Sequence, residues 1–267
     1  MFEMFAYPFM QRALIGGLLV SLCASLLGVC LVLKRYSMIG DGLSHVGFGA
    51  LAIATAFNAA PLPVSLPIVI IAAFFLLRIS NNSSINGDSA IAVLSSGSLA
   101  VGVLIVSVTK GMNTDLNNYL FGSILAMDKS DVLLSCVLSI LMIILFMFFY
   151  HRIFSVTFDE TFARACGLKA SLYNGIIASL TAVTVVLGMK MMGALLISSL
   201  IIFPAMSAMR IFKTFYKVVI LSAVLSCVCF ASGLILAFYF DLPTGATVVC
   251  VNILVLLLAS LKSKILN

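Results

Sequence analysis

The stretch MIGDGLSHVGFGALAIATAF, residues 38–57, is as long as a membrane-crossing helix and mostly apolar, yet it contains an acid and an imidazole. Asp41 and His45 are four residues apart, so on a helix their side chains lie on one face. His45 is also one of only two histidines in the chain. Because an ionisable side chain inside a membrane is costly, such a pair indicates a functional site. The stretch therefore predicts a membrane helix with a polar site on one side.

The composition of the whole chain is that of a membrane protein. Of its 267 residues, 63% are hydrophobic and 9% are charged, and the mean hydropathy is +1.26. A soluble domain is roughly half apolar and about one quarter charged. No alternating strand pattern is present, and backbone groups in lipid must be satisfied within helices or closed barrels. We predict an all-α fold, a polytopic bundle of membrane helices that forms a single integral domain over residues 1–267.

Apolar segments of the required length recur along the chain. They are 13–33, 38–58, 62–79, 88–109, 131–150, 172–188, 191–208, 217–240 and 244–261. The two segments on either side of Lys190 can also be read as one broken span, so the prediction is eight or nine membrane spans. The connection at 110–130 has only a short apolar centre and predicts a re-entrant or surface-lying helix.

The formal charge of +6 raises the question of nucleic-acid or other anionic partners. The cations lie singly or in short groups at span ends, which is the pattern of the positive-inside rule. With the 151–171 loop inside, the inner cations are Lys34, Arg35, Arg78, Arg152, Arg164, Lys169, Arg210, Lys213, Lys217, Lys262 and Lys264. Only Arg12, Lys110, Lys129 and Lys190 are then outside. This distribution predicts an outer N-terminus, an inner C-terminus and no nucleic-acid partner.

The inner loop SVTFDETFARACGLKASLYN, residues 155–174, has helix signals of its own. Thr157 followed by Glu160 has the spacing of a capping box, and Glu160 with Arg164 forms an i, i+4 ion pair. Gly167 is placed to end the helix. The loop, about 155–171, therefore predicts a short cytoplasmic helix at about 158–166.

This short helix exposes Phe158, Phe162 and Ala165 where the chain has nothing to pack against them. One interpretation is an amphipathic helix that rests on the inner leaflet. The other is a docking helix for a cytoplasmic partner.

The loop resembles the coupling helix of an ABC importer permease in the spacing of Asp159, Glu160, Ala163 and Gly167. From about residue 13 to 260, the chain resembles the ABC-3 family of metal-ion permeases, the membrane subunits of bacterial zinc, manganese and iron uptake systems. Three further stretches carry the resemblance: GDGLSHVGFGA at 40–50, NNYLFGSIL at 117–125 and GALLISSLIIFPAMSA at 193–208.

The resemblance implies a multi-pass permease of the bacterial cell membrane. Two copies would form one pathway, with Asp41 and His45 as its transient metal site and no permanently bound cofactor. A separate cytoplasmic ABC ATPase and an extracytoplasmic metal-binding protein would complete the system. The ATPase-docking residues of the coupling helix would be Phe158, Asp159, Glu160, Phe162, Ala163, Arg164 and Gly167.

The chemistry of Asp41 and His45 agrees with this expectation. A carboxylate oxygen and an imidazole nitrogen suit Zn²⁺ or Mn²⁺, whereas Cu(I) prefers sulfur. One helix supplies only two ligands, but a homodimer with this helix near its two-fold axis supplies four. Nitrogen ligation favours zinc slightly. Two alternatives stay open: Asp41 as the N-cap of a helix that starts at Gly42, and a proton-relay pair.

The absence of some motifs also limits the function. The sequence contains no GxxxxGK[ST] phosphate loop, so the chain itself does not hydrolyse ATP, and it contains no HExxH or GxSxG hydrolase motif. The alternative to an ABC permease is a self-sufficient secondary transporter or channel for protons or cations, which has no need of a docking helix.

Pro204 lies within one of the apolar segments. Proline lacks an amide hydrogen and clashes with the preceding turn, so it predicts a helix kink at this position. Ser198, Ser199 or Ser207 would be close enough to satisfy the backbone groups that the kink frees.

Overall fold

The computed structural model describes residues 7–82, 87–109 and 129–266, and within these ranges every regular element is a helix. The helices are α1 (Pro8–Leu33), α2 (Ile39–Ala56), α3 (Pro61–Asn82), α4 (Gly87–Val108), α5 (Lys129–Phe148), α6 (Tyr150–Phe158), α7 (Glu160–Ala165), α8 (Ala170–Met192), α9 (Ala194–Ile211), α10 (Phe215–Phe240) and α11 (Thr244–Leu266). This confirms the all-α prediction. The predicted re-entrant helix at 110–130 falls mostly outside the described residues.

Seven helices in the described ranges are long and apolar enough to cross a membrane, and they are α1, α3, α4, α8, α9, α10 and α11. The count rises to eight when α5 and α6, which meet at a bend of 69°, are taken as one broken span. α2 is outside this set because Asp41 and His45 lower its apolar character. Its 18 residues correspond to the predicted segment 38–58. The chain is thus a multi-pass membrane protein.

The segments around Lys190 do not merge into one span. α8 ends at Met192 and α9 begins at Ala194, with Gly193 between them at φ 87° and ψ 160°. This backbone conformation is essentially restricted to glycine, so Gly193 fixes the change of direction.

The bundle has an inner and an outer layer. Most of α1 and α8 is buried within the chain, whereas only a small share of α4 and α11 is buried. The exposed residues include large apolar side chains such as Val93, Leu104, Leu254 and Leu258. Apolar side chains on both the inside and the outside are typical of a protein whose solvent is the lipid bilayer.

The backbones of α1 and α9 approach closely at Gly28. A Cβ atom on Gly28 would lie 1.9 Å from the carbonyl oxygen of Ile201. The obstacle is backbone, so it cannot rotate away as a side chain could. Small residues at helix crossings permit this approach, since packing rather than the hydrophobic effect holds membrane helices together.

We therefore expect Gly28→Ala to destabilise the protein by roughly 1–3 kcal/mol, because the two helices must separate to admit the methyl group. Thermal unfolding of the detergent-solubilised protein measures the effect. The matched control is Gly97→Ala in α4, where a Cβ would meet nothing within 4 Å. Equal melting temperatures for the two variants would contradict the close approach.

Candidate functional site

The first turn of α2 carries Asp41. A tight connection follows α1, in which Arg35 adopts a left-handed conformation at φ 61°, and α2 then starts at Ile39 with Met38 as its N-cap residue. Asp41 is therefore inside the helix, and the interpretation of this residue as an N-cap before Gly42 is wrong. Its carboxylate lies in the first turn, at the positive end of the helix dipole.

Asp41 and His45 lie side by side, as their spacing predicts. His45 Nε2 is 3.8 Å from Asp41 Oδ2, and the two side chains are 24% and 45% exposed, respectively. The Ser198 hydroxyl of α9 lies 3.4 Å from Asp41 Oδ1, and its single hydrogen is shared between this carboxylate and the nearer Ala194 carbonyl at 3.0 Å. His45 Nδ1 is buried and has no hydrogen-bond partner among the described residues.

The separation of the pair suits a shared cation better than a hydrogen bond. A distance of 3.8 Å between His45 Nε2 and Asp41 Oδ2 is too long for an N–H···O bond. Two ligands of a tetrahedral zinc, each about 2.0–2.1 Å from the metal, lie about 3.3 Å apart. The observed separation is about 0.5 Å longer than this, so the pair is compatible with two ligands of one ion.

The site lies close to the end of α1 that carries Lys34. A Cβ on Gly40 would lie 2.8 Å from the side chain of Ile201, the residue whose carbonyl abuts Gly28. Gly28 is five residues before the last residue of α1, Leu33, which is about 7–8 Å along a helix.

One chain supplies too few ligands for a closed metal site. Within the described residues, no group of three or more His, Cys, Asp or Glu side chains could hold a metal ion. Asp41 and His45 are thus an incomplete set, with a carboxylate that is nearly half exposed.

The loop that follows α5 has a different local structure from the predicted one. Thr157 and Phe158 belong to α6, and a separate helix, α7, begins at Glu160. The residues predicted to form a single helix at 158–166 belong to two helices, and the prediction of a capping box between Thr157 and Glu160 is wrong. Thr157 is buried within α6, whereas Asp159 has the extended backbone of an N-cap residue, and its Oδ1 accepts a hydrogen bond of 2.9 Å from the Phe162 amide.

Gly167 ends α7, as predicted. Its φ of 81° is in the left-handed region. The Gly167 amide donates to the Arg164 carbonyl and the Leu168 amide donates to the Ala163 carbonyl, each at 3.0 Å. This is the Schellman arrangement, which satisfies the last carbonyls of a helix.

The α6–α7 region has an outer aromatic face and an inner packed face. Phe158 and Phe162 are 75% and 66% exposed. Ala163, which the resemblance placed in the docking set, instead faces inward and packs with Val156 and Tyr173. The exposed rings are therefore the residues available to a partner.

A polar cluster ties α7 to the bundle through Glu160. Lys34 Nζ lies 3.4 Å from Glu160 Oε2 and donates a 2.6 Å hydrogen bond to Asn174 Oδ1 in α8. Asn174 Nδ2 donates to Glu160 Oε2 at 2.9 Å. The predicted pair with Arg164 is also present, since its guanidinium donates to Glu160 Oε1 at 2.5 Å. We call Lys34, Glu160, Asn174 and Arg164 the Glu160 cluster.

Charge and burial act in opposite directions on the Glu160 cluster. Burial alone would raise the pKa of Glu160, but the hydrogen bonds from Asn174 and Arg164 and the charge of Lys34 outweigh it and hold the pKa below its ordinary value. Burial lowers the pKa of Lys34, and the Glu160 carboxylate opposes this shift.

Lys34, Asn174 and Ser198 have roles that the sequence patterns do not predict. Lys34 was interpreted only as a topogenic charge, although it reaches across to α7 and α8. The sequence does carry a signal for Asn174, since an amide at the start of an apolar helix needs a polar partner when it is buried. Ser198 had no such signal, because serines are common in membrane helices.

Pro204 lies inside α9, which is helical from Ala194 to Ile211. The Ser198 and Ser199 hydroxyls donate to the carbonyls of Ala194 and Leu196, not to the Leu200 carbonyl that Pro204 leaves without a donor. A kink at Pro204 stays a prediction.

The fold and the site define a class of protein, a membrane transport permease with a polar pair on an inner helix and an exposed helix between spans. The chain belongs to the ABC 3 transport family, whose pattern it matches over residues 6–263. This family membership confirms the resemblance drawn from the sequence motifs.

Named relatives agree with this assignment. The manganese import system permease protein ScaB of Streptococcus gordonii is 28% identical over 253 residues, which cover 95% of this chain and 91% of that protein. The high-affinity zinc uptake system membrane protein ZnuB of Haemophilus influenzae is 29% identical over 252 residues, covering 94% and 97%. In the solved structure of PsaBC from Streptococcus pneumoniae in complex with Fab, one chain matches with a TM-score of 0.87 at 26% identity, covering 98% of this chain and 96% of that chain.

The Glu160 cluster makes stability depend on pH in a defined direction. We expect Glu160→Gln to lower stability by about 1–3 kcal/mol at neutral pH, because it weakens charge-assisted hydrogen bonds. The pKa of Glu160 is lowered from an ordinary value of 4.5, so its contribution is complete above that pH and is lost as the pH falls through the lower pKa of the folded protein. The melting temperatures of the two proteins should therefore converge only in acid.

The control is Asp241→Asn, which changes an exposed carboxylate at the end of α10 to a residue that also tolerates the left-handed backbone found there. A Glu160→Gln protein as stable as the wild type at pH 7, or a difference that grows in acid, would contradict the cluster.

Proposed function

We propose that this chain is the permease subunit of an ATP-driven importer of divalent transition metal ions, that it works as a homodimer, and that zinc is preferred over manganese or iron. The observation that carries the proposal is the Asp41–His45 pair, two metal-ligating side chains on one face of an inner membrane helix. An ionisable pair in a membrane helix costs free energy, so its presence indicates a function such as transport.

Two copies complete the ligand set. Each chain contributes one carboxylate and one imidazole, and a two-fold axis beside α2 gives the four ligands of a tetrahedral ion. The 45% exposure of the Asp41 side chain supports this arrangement, since the carboxylate is open on the side where a second copy would lie. We expect the affinity for the ion to be moderate, because transport requires that the ion also leaves the site.

The relatives support a transition-metal substrate but differ in the metal. Their names specify manganese for ScaB and zinc for ZnuB. An Asp–His set is compatible with both, and the imidazole nitrogen favours zinc in the affinity order. An extracytoplasmic metal-binding protein would deliver the ion.

The energy source would be a separate ATPase that docks on α6 and α7. Phe158 and Phe162 are exposed aromatic rings on the outer face of this region, and buried aromatic residues commonly dominate binding at protein interfaces. The sequence contains no phosphate loop, so nucleotide must bind to the partner.

The Glu160 cluster would transmit the movement of the ATPase to the metal site. α7 is linked by Glu160 to Lys34, the C-cap residue of α1. Lys34 is seven residues before Asp41, across the tight turn at Arg35. A displacement of α7 therefore acts on the turn that positions the first turn of α2. Alternating access by rocking of helices around a fixed site is the general mode of such transporters.

The metal site is tested by Asp41→Asn and His45→Gln in the assembled transporter. We expect metal uptake to fall by about 10–100-fold or more, since each change removes one ligand from each copy. Uptake of radioactive zinc and manganese into vesicles measures the effect, with co-purification of the ATPase as the check on assembly.

The matched control is His151→Gln, which changes the other histidine of the chain at the start of α6. Uptake that survives in both Asp41→Asn and His45→Gln would refute the site. Proton or cation flux without any ATPase would favour the secondary transporter instead.

The docking surface is tested by Phe162→Asp. Because a charge would be buried at the interface, we expect the ATPase to be lost from the purified complex. The control is Phe57→Asp. Phe57 is an 81% exposed ring at the C-terminal end of α2, away from α7, and it is changed in the same way. If the ATPase is retained by Phe162→Asp, or lost equally from both variants, α7 is not the docking helix.

Transmission is separated from docking by Asn174→Leu. Asn174 is 6% exposed and inside α8, so it cannot touch an ATPase. The substitution removes the amide that bridges Lys34 and Glu160. We expect the ATPase to bind and hydrolyse ATP while metal uptake per ATP falls. Unchanged uptake per ATP would refute the transmission.

A further inference from the structure

A groove of about 990 Å³ opens between α3, α5 and the first half of α8. Its volume is at the upper end of the roughly 300–1,000 Å³ that ligand pockets span. Phe74 of α3 forms one wall and Leu145 of α5 the other, with Ile176 and Leu180 of α8 between them. The groove therefore follows the membrane-spanning helices and is apolar along its length.

The mouth of the groove is cationic. Arg164 and Lys169 line it where α7 connects to α8. Arg164 is well exposed, at 61% of its side chain. A guanidinium has five N–H donors, so the bond to Glu160 leaves others for a ligand. Lys169 is exposed at the start of α8. An apolar groove with two cations at one end has the polarity of a lipid binding site.

The interior of the groove excludes a polar occupant. The Ser179 hydroxyl donates a 2.9 Å hydrogen bond to the Gly175 carbonyl, so it is already satisfied. The backbone groups of this part of α8 are used within the helix. A segment of extended peptide in the groove would bury N–H and C=O groups without partners, at a high cost. Hydrocarbon carries no such cost.

The groove is also separate from the proposed metal site. Its lining residues come from α3, α5, α7, α8 and the connection before α8. None belongs to α2 or α9, which carry Asp41 and Ser198. If two copies pair through the exposed side of Asp41, their interface does not involve the helices that line the groove. A second copy of the chain is therefore not the occupant that we expect.

We propose that the groove binds an anionic phospholipid of the leaflet on the side of α7. The acyl chains lie along Phe74, Leu145 and Leu180, and the phosphate lies between Arg164 and Lys169. Basic pockets between membrane helices on the cytoplasmic side recognise anionic headgroups in this way. The inference is independent of the metal that is transported. It places a lipid phosphate beside the arginine that holds Glu160.

The test is native mass spectrometry of the full-length protein, purified in mild detergent and incubated with phosphatidylglycerol or phosphatidylcholine. Wild type should retain phosphatidylglycerol in preference to phosphatidylcholine. Lys169→Glu should abolish that preference, and Ser179→Phe, which fills the groove, should reduce retention of both lipids. The matched control is Lys213→Glu, an exposed cation between α9 and α10 that does not line the groove.

Four outcomes would overturn the proposal. The first is equal retention of the two lipids by wild type. The second is an equal loss in Lys169→Glu and Lys213→Glu, which would reflect net charge alone. The third is unchanged retention of both lipids in Ser179→Phe. The fourth is a change of oligomeric state in Ser179→Phe, seen in the same spectra, which would make the groove an interface between copies.

Discussion

The packing of Ile201 against two glycines is the constraint on which the proposed metal site depends. Its carbonyl closes on Gly28 of α1, and its side chain lies against Gly40 of α2. α9 is thereby locked between the two helices, and Ser198, one turn before Ile201, reaches the Asp41 carboxylate. A larger residue at Gly28 would push α9 away from α1, because the obstacle is backbone, whereas at Gly40 it would meet the end of the flexible Ile201 side chain. The site is thus built by close backbone packing more than by polar contacts.

Polar groups in this bundle differ in how fully they are hydrogen bonded. The Glu160 cluster lies around the end of α1 and the start of α8, and each member has at least one hydrogen-bond partner. Asp41 and His45 are less satisfied, with one weak hydrogen bond and one imidazole nitrogen without a partner in the described residues. A group that is left unsatisfied in lipid is expensive. The contrast separates a structural cluster from the pair that we propose as the metal site.

Much of the fold could be predicted from the sequence, because runs of about 20 apolar residues have only one stable form in a membrane. The i, i+4 relation of Asp41 and His45 and the left-handed Gly167 also followed from local rules. The division of the loop into α6 and α7 did not, since Thr157 is buried within α6 and Asp159 caps α7 in its place. The contact between Ser198 and Asp41 joins residues 157 positions apart, and the hydrogen bond between Lys34 and Asn174 joins residues 140 positions apart. Contacts at such separations depend on helix packing, which the sequence pattern does not specify.

In the proposed transporter, two chains share one metal ion between two Asp41–His45 pairs. Zinc-edge X-ray absorption on the purified, zinc-loaded transporter, together with the metal content per chain, can test this arrangement. We expect one zinc for every two chains, with two imidazole nitrogens and carboxylate oxygens about 2.0–2.1 Å from the metal. One zinc in each chain, or a coordination shell without imidazole, would contradict it.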